Sequence, residues 1–371
     1  MASFPVDILT EIFLRISARP LVRFRCVCKS WNSLLTSPFF IKAYLERSTK
    51  FHKFNLLKYD SDNFSRVQIH KPPNNEMSDL DTSFIRDGEK FKLVDSCNGI
   101  TCFSTFDRKI RHNSKIFLWN PSTGENVALP QPSYHVSNLV GFGFNPLSGH
   151  LDDFTVVNMN IYFEQHPNYT SQVEVYSFRR NCWKQLGNIF PPSLTQHLGN
   201  QVIFENFICW CPCFRPGHEK ITLLILFDVV QDAFHKIALP DMMPLGEKLI
   251  SLLDGCLSVI AHNLSTEYYE VWIMKEFGVC ESWTKLYTIG VSTRSIVSYR
   301  PVGFVDSGKV FFVDTFYVGL RFKSPSHLAL YNVRSEKFET FKVAVDCYYT
   351  TQLVTCLDSL ISLSSTNNVK H

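Results

Sequence analysis

After Lys50 the sequence repeats one pattern, and that repeat limits the fold more than any other feature. A short apolar strand ends in an aromatic, a polar turn follows, and a second strand usually brings another aromatic. Leu56 to Tyr59 precedes Asp60 to Asn63, and Ile116 to Trp119 precedes Asn120-Pro121-Ser122-Thr123-Gly124. Val173 to Tyr176 leads to Asn181-Cys182-Trp183, and Leu224 to Phe227 leads to Asp228 through Phe234. Tyr269 to Trp272 precedes Glu281 to Leu286, and Leu328 to Tyr331 precedes Asn332 to Phe338. The markers Tyr59, Trp119, Tyr176, Phe227, Trp272 and Tyr331 stand 60, 57, 51, 45 and 59 residues apart, about 54 on average. Units of that length with roughly four strands each predict an all-β, propeller-like domain of about six blades, with five or seven as alternatives. A ring removes the exposed sheet edges that separate hairpins would leave. Pairing of Leu353 to Leu363 with Phe51 to Tyr59 is expected to close it. The 14% aromatic content, 32 of it Phe by count, favours strands in the same way.

Before residue 50 the period is helical. Val6, Leu9, Ile12, Phe13 and Ile16 recur at the spacing of one helix face. Pro20 suits the first turn of a second helix, along which Leu21, Phe24, Val27, Cys28, Trp31, Leu34 and Leu35 continue the period. Ser37 before Pro38 is the expected N-cap of a third short helix carrying Phe39, Phe40, Ile41, Tyr44 and Leu45. A three-helix module of about 45 residues cannot bury that much apolar surface alone. Part of the stripe is therefore expected at an interface with a partner.

Charge marks the same boundary. The first fifty residues hold eight Lys or Arg and three acids, a net of +5, whereas the remainder holds 29 and 31, a net of −2. The step predicts a module of residues 1–48 and a second of residues 49–371, with an acidic partner for the first. A basic helical head could also contact phosphates through Arg15, Arg19, Arg23 and Arg25. Its second helix carries aromatic and aliphatic residues where base-reading polar side chains would be needed, so docking on a protein is the preferred reading and no nucleic acid is expected. No apolar run approaches the 18 residues that span a bilayer, and the N-terminus has no basic n-region, so neither membrane nor signal peptide is expected. Twelve Cys without such a signal read as reduced thiols. A cytoplasmic location, with the nucleus as an addition, follows.

Phe4-Pro5, Ile8, Glu11-Ile12, Ile16, the run Leu21-Val22-Arg23-Phe24-Arg25-Cys26-Val27-Cys28-Lys29-Ser30-Trp31, Leu34-Leu35 and Ser37-Pro38-Phe39 together resemble an F-box. Phe4 stands where that family has Leu, and Ile16-Ser17 where it has Leu-Pro. The resemblance implies docking on a Skp-type adaptor, and through it on cullin and RING subunits of a ubiquitin ligase. Phe4, Pro5, Ile8, Leu9, Ile12, Leu21, Phe24, Val27 and Trp31 are then the adaptor-binding candidates. Cys97-Asn98-Gly99-Ile100, Leu118 to Gly124, Gly141-Phe142-Gly143-Phe144-Asn145-Pro146, Val173 to Ser177, Glu270 to Lys275 and Glu281 to Leu286 resemble the plant F-box-associated domain, a kelch-like body. Within that class the chain is most similar to S-locus F-box proteins, also at Thr355-Cys356-Leu357-Asp358-Ser359-Leu360. This implies a protein target, in that subfamily a self-incompatibility ribonuclease, passed on for ubiquitination and proteasomal degradation.

Motifs that would carry chemistry are weak by comparison. Gly303 to Lys309 has phosphate-loop spacing, but Val310 replaces the hydroxyl that would hold magnesium, and a hairpin turn explains it better. Cys209, Cys211 and Cys213, with His218, lack the ligand spacing of a zinc site, and alternation puts the three thiols on one strand face. No catalytic, metal or cofactor residue is assigned, so the chain is expected to be a non-catalytic receptor. A propeller hydrolase or lyase, or an interaction scaffold outside any ligase, is the alternative. Target-binding residues are unknown; the loops Asp60 to Asn75, Asp107 to Asn113, Glu164 to Thr170 and Arg215 to Glu219 are the candidate regions.

Overall fold

A computed structural model describes residues 5–50, 54–60, 66–70, 77–85, 90–106, 115–134, 139–160, 171–187, 198–212, 222–290, 297–306, 308–318, 321–323, 326–345 and 351–364. The head forms four helices, α1 (Val6–Phe13), α2 (Ala18–Phe24), α3 (Lys29–Thr36) and α4 (Pro38–Lys50). The expected count of three is corrected because the stretch from Leu21 to Leu35 breaks in its middle. After Phe24 the backbone tightens to i→i+3 bonds, Cys26 N–H to the Arg23 carbonyl and Val27 N–H to the Phe24 carbonyl. Cys28 is then fully extended (φ −159°, ψ 163°), and its carbonyl accepts from Asn32 N–H to start α3. Ser37 acts as the expected cap, its hydroxyl oxygen accepting from Phe40 N–H at 3.2 Å ahead of Pro38.

The body is all β. Its strands are β1 (Phe54–Asp60), β2 (Arg66–His70), β3 (Met77–Asp79), β4 (Lys90–Cys97), β5 (Ile100–Phe106), β6 (Ile116–Trp119), β7 (Asn126–Ala128), β8 (Val140–Phe144), β9 (Phe154–Asn160), β10 (Gln172–Ser177), β11 (Cys182–Gly187) and β12 (Leu198–Phe204). They continue with β13 (Phe207–Pro212), β14 (Leu223–Asp228), β15 (Ala233–Ala238), β16 (Lys248–Leu253), β17 (Cys256–His262), β18 (Tyr269–Met274), β19 (Trp283–Ile289), β20 (Val297–Asp306), β21 (Lys309–Val318), β22 (Arg321–Lys323), β23 (Ser326–Asn332), β24 (Lys337–Val345) and β25 (Thr351–Leu357). Among the described residues they form six antiparallel sheets, in chain order I (β25-β1-β2-β3), II (β4 to β7), III (β8 to β11), IV (β12 to β15), V (β16 to β19) and VI (β20-β21-β23-β24, with β22 beside β21). β4, β8, β12, β16, β20 and β25 each contribute residues to the wall of one central cavity of about 680 Å³. This is the arrangement of inner strands around a propeller axis.

The repeat seen in the sequence is the outer hairpin of each sheet. Trp119, Tyr176, Phe227, Trp272 and Tyr331 all lie on the third strand from the axis. Opposite them the pairs Tyr176–Trp183, Phe227–Phe234 and Tyr331–Phe338 meet across the strands, the first tilted and the other two edge-on, at 5.2, 5.0 and 5.0 Å. Asn120, Asp228 and Asn332 follow their aromatics, and each side-chain oxygen accepts two backbone N–H groups of its turn. Tyr59 is the exception, because it lies on the second strand of its sheet. Sheet I takes its inner strand from the far end of the chain, so its first strand in sequence is its second in space.

That closure is the expected one in part. β25 pairs with β1 from Phe54↔Leu357 to Asp60↔Thr351. The pairing stops at Leu357, and residues 358–364 leave the sheet to run between the head and the turns of sheet II. Neighbouring sheets interlock through close approaches: a Cβ on Gly141 would lie 2.5 Å from the Trp210 ring, which explains the glycines around Phe142. No helix among the described residues is long and apolar enough to cross a membrane.

Two hairpins at the same position of their sheets give a test of this packing. Asn98-Gly99 and Asp254-Gly255 both have positive φ at both residues, as type I′ turns require. A Cβ on Gly99 would strike Ser359 and lie 2.6 Å from the Leu357 carbonyl oxygen, whereas one on Gly255 meets nothing within 4 Å. Gly255→Ala is therefore expected to cost about 1 kcal/mol, the left-handed penalty alone. Gly99→Ala should cost about 1–3 kcal/mol more from overpacking, read as a clearly larger drop in Tm by circular dichroism.

Candidate functional site

The head has its own core and a second, outward set of apolar residues. Phe13, Ala18, Leu21, Leu35, Phe40 and Tyr44 are buried together with Leu360 of the chain's end. Phe13 meets Trp31 edge-on at 4.9 Å, and Phe24 closes the aromatic triad at 5.9 Å from Phe13 and 5.7 Å from Trp31. Outside this core Val6, Ile8, Ile12, Val27 and Phe39 are 63%, 49%, 46%, 61% and 75% exposed. A shallow groove along the outer side of α1 is lined by Asp7, Ile8, Glu11, Ile12 and Arg15. Arg15, Arg19, Arg23 and Lys29 of the head are all exposed, and in the groove itself Arg15 lies 4.0 Å from Glu11.

The structure thus sorts the sequence candidates into two groups. Pro5, Ile8, Ile12 and Val27 are exposed; Leu9, Phe24 and Trp31 are half-buried; Leu21 is fully buried and packs the helices from within. Phe4 lies outside the described residues. Val6 and Phe39 share the exposed face and were not among the candidates. Their signal was present: α4 opens Pro38-Phe39-Phe40, and one helix face can bury only one of two adjacent Phe residues.

The other concave feature is the central cavity. On its wall Asp95 accepts hydrogen bonds from Ser96 N–H (2.7 Å) and Gln201 Nε2 (3.0 Å). Gln201 also donates to the Phe142 carbonyl (2.7 Å) and accepts from Phe142 N–H (3.1 Å), so one amide ties sheets II, III and IV together. Burial pushes the Asp95 carboxyl up to about 7, against the pull of those two hydrogen bonds.

The remaining motifs take structural roles. Cys209 and Cys211 are buried in the core between sheets IV and V, while Cys213 and His218 lie outside the described residues. No group of three potential metal ligands occurs among the described residues. Gly303 to Lys309 forms the β20–β21 hairpin, with Asp306 paired to Lys309. The four candidate loops lie outside the described residues, apart from Asp60 and β2.

Comparison with known proteins agrees with this two-part layout. Residues 52–359 match the F-box associated beta propeller domain, and residues 1–42 match the F-box domain. The chain belongs to the F-box proteins that carry this associated propeller. It is 27% identical to the F-box protein CPR1 of Arabidopsis thaliana, over all of this chain and 92% of that protein. It is 25% identical to an F-box/kelch-repeat protein of the same plant, over 91% of this chain and 89% of that one.

The Asp95 environment predicts a pH dependence. Because the folded-state pKa (about 7) lies above the ordinary 3.8, the unfolded chain gives up this proton first. Stability from this group is therefore lost as pH rises from about 4 to about 7. The Tm difference between the native chain and Asp95→Asn should fall steadily across that range in a thermal-melt series, and a flat difference would show that the group does not titrate there.

Proposed function

We propose that this chain is the substrate-recognition subunit of a Skp–cullin–F-box ubiquitin ligase and not itself a catalyst. The observation that carries the reading is the split in the head. Phe13, Leu21, Leu35 and Phe40 complete an internal core, yet Val6, Ile8, Ile12, Val27 and Phe39 remain exposed outside it, on a head with a net charge of +5 over its first fifty residues. An isolated surface of that kind marks a docking site. The head's net positive charge suits an acidic adaptor, whose encounter it would steer. The adaptor brings cullin and RING subunits, and ubiquitin transfer is accelerated because the target is held at high effective concentration. Such a complex works in the cytoplasm and nucleus.

The target is proposed to be a protein held on the end of the propeller opposite the head. The head sits on the end that carries the β4–β5 and β6–β7 turns. In antiparallel sheets β1, β5, β9 and β13 then finish at the other end, where all four candidate regions begin. A ribonuclease is the target class that the S-locus resemblance puts forward.

Co-purification of the full chain with a plant Skp-type adaptor tests the reading. A one-to-one complex is expected on size exclusion. Ile12→Asp should weaken it at least about tenfold, or 1.4 kcal/mol, while leaving the propeller's melting transition in place. Undiminished binding by Ile12→Asp would remove the docking assignment.

A further inference from the structure

The segment of residues 358–363 touches both modules at once. Towards the head, one carboxylate oxygen of Asp358 accepts from Ala18 N–H at 2.8 Å, at the first residue of α2, and lies 2.8 Å from the Tyr44 hydroxyl. Burial first, and then the Asp358 carboxylate, push the Tyr44 pKa upward, so that hydroxyl keeps its proton as a donor. Leu360 is fully buried inside the helical core, and Arg25 Nη2 donates to its carbonyl at 3.3 Å. Towards the propeller, Asn120 Nδ2 donates to the Ser359 carbonyl (3.2 Å) and the Ile361 carbonyl (2.8 Å). One Glu125 oxygen accepts from Ser362 Oγ at 2.8 Å and Leu363 N–H at 2.7 Å. Ile361 and Leu363 are buried with Leu45 of α4 and with Ile100, Leu118 and Phe178 of sheets II and III.

We infer that this segment is a positioning brace for ubiquitin transfer, with Asp358 and Leu360 as positioning residues; the inference rests on the ligase reading above. Only residues 51–53 join α4 to β1 in sequence, and a short link by itself leaves the orientation of two modules free. Transfer within a ligase depends on where the target is held relative to the incoming ubiquitin, and a loosely held target samples productive geometry less often. The brace removes that freedom by filling the head's core with Leu360 and anchoring the same strand of backbone to the turn at Asn120 to Glu125. None of its residues lies on the exposed adaptor face. Its loss should therefore alter geometry without altering adaptor affinity.

The test uses the full chain in complex with a Skp-type adaptor. A Förster pair is placed between a dye on the adaptor and a non-natural residue at exposed Thr266, on the turn between β17 and β18. The native chain should give one narrow distance distribution, and Asp358→Ala a broad one. Asp358→Asn, whose amide oxygen can still accept from Ala18 N–H, should restore much of the narrowness. Adaptor Kd should stay within about threefold for both variants, since the site is separate from the adaptor face. With cullin–RING and a conjugating enzyme added, self-ubiquitination of propeller lysines by Asp358→Ala should slow about tenfold and shift among lysines. A broad distribution in the native chain, or an unchanged narrow one in a folded Asp358→Ala chain, would overturn the brace. Should Asp358→Ala fail to fold, Tyr44→Phe, which removes the hydroxyl that faces Asp358 and the Ile16 carbonyl but leaves the Leu360 side chain in place, is read in the same assay. Failure of the native chain to bind adaptor would instead overturn the ligase reading, whatever its internal distances.

Discussion

Pairing between β1 and β25 is the constraint on which the rest of the structure depends. A sheet of the propeller needs an inner strand beside the axis, and sheet I obtains its own only from the C-terminal end of the chain. Seven register pairs from Phe54↔Leu357 to Asp60↔Thr351 close the ring. They cover the edge of β1, which in an open array would be a site for association with other chains. The same pairing fixes where the chain goes next. It delivers residues 358–364 to the end of the propeller where α4 packs, so closing the ring also builds the contact with the head.

Head and body are consequently less separable than their boundaries in sequence suggest. Leu360 completes a core otherwise made by helices, and Leu45 of α4 belongs to a core otherwise made by sheets II and III. Removing the head would expose the apolar side of the chain's end, and removing that end would open a hole where Leu360 sits.

Much of this was legible from residue order. The repeat of aromatic strand and polar turn identified the outer hairpins, because cross-strand aromatic contacts and side-chain-capped turns are local interactions written in nearby residues. Closure of the ring was legible too, since the missing partner strand had to come from the end of the chain. The break at Cys28 was not, as the apolar period runs through it unaltered. Nor does a period separate Leu21 from Ile8: both recur at helical spacing, and only packing against Phe13 and Phe40 shows that one is core and the other surface. Least legible was the bond from Ala18 N–H to Asp358, which spans 340 residues. Nothing near Ala18 or near Asp358 announces the other, because the contact exists only once the ring is shut.

Hydrogen exchange resolved by mass spectrometry on the full chain tests the central claim most directly, namely that ring closure and the head are joined through the chain's end. Amides with partners in other segments, Ala18, Ser359 and Leu363, should be protected and should exchange together with β1 and β25, as one cooperative unit. Exchange of 358–363 at the rate of an unstructured peptide, while β1 and β25 stay protected, would contradict the account.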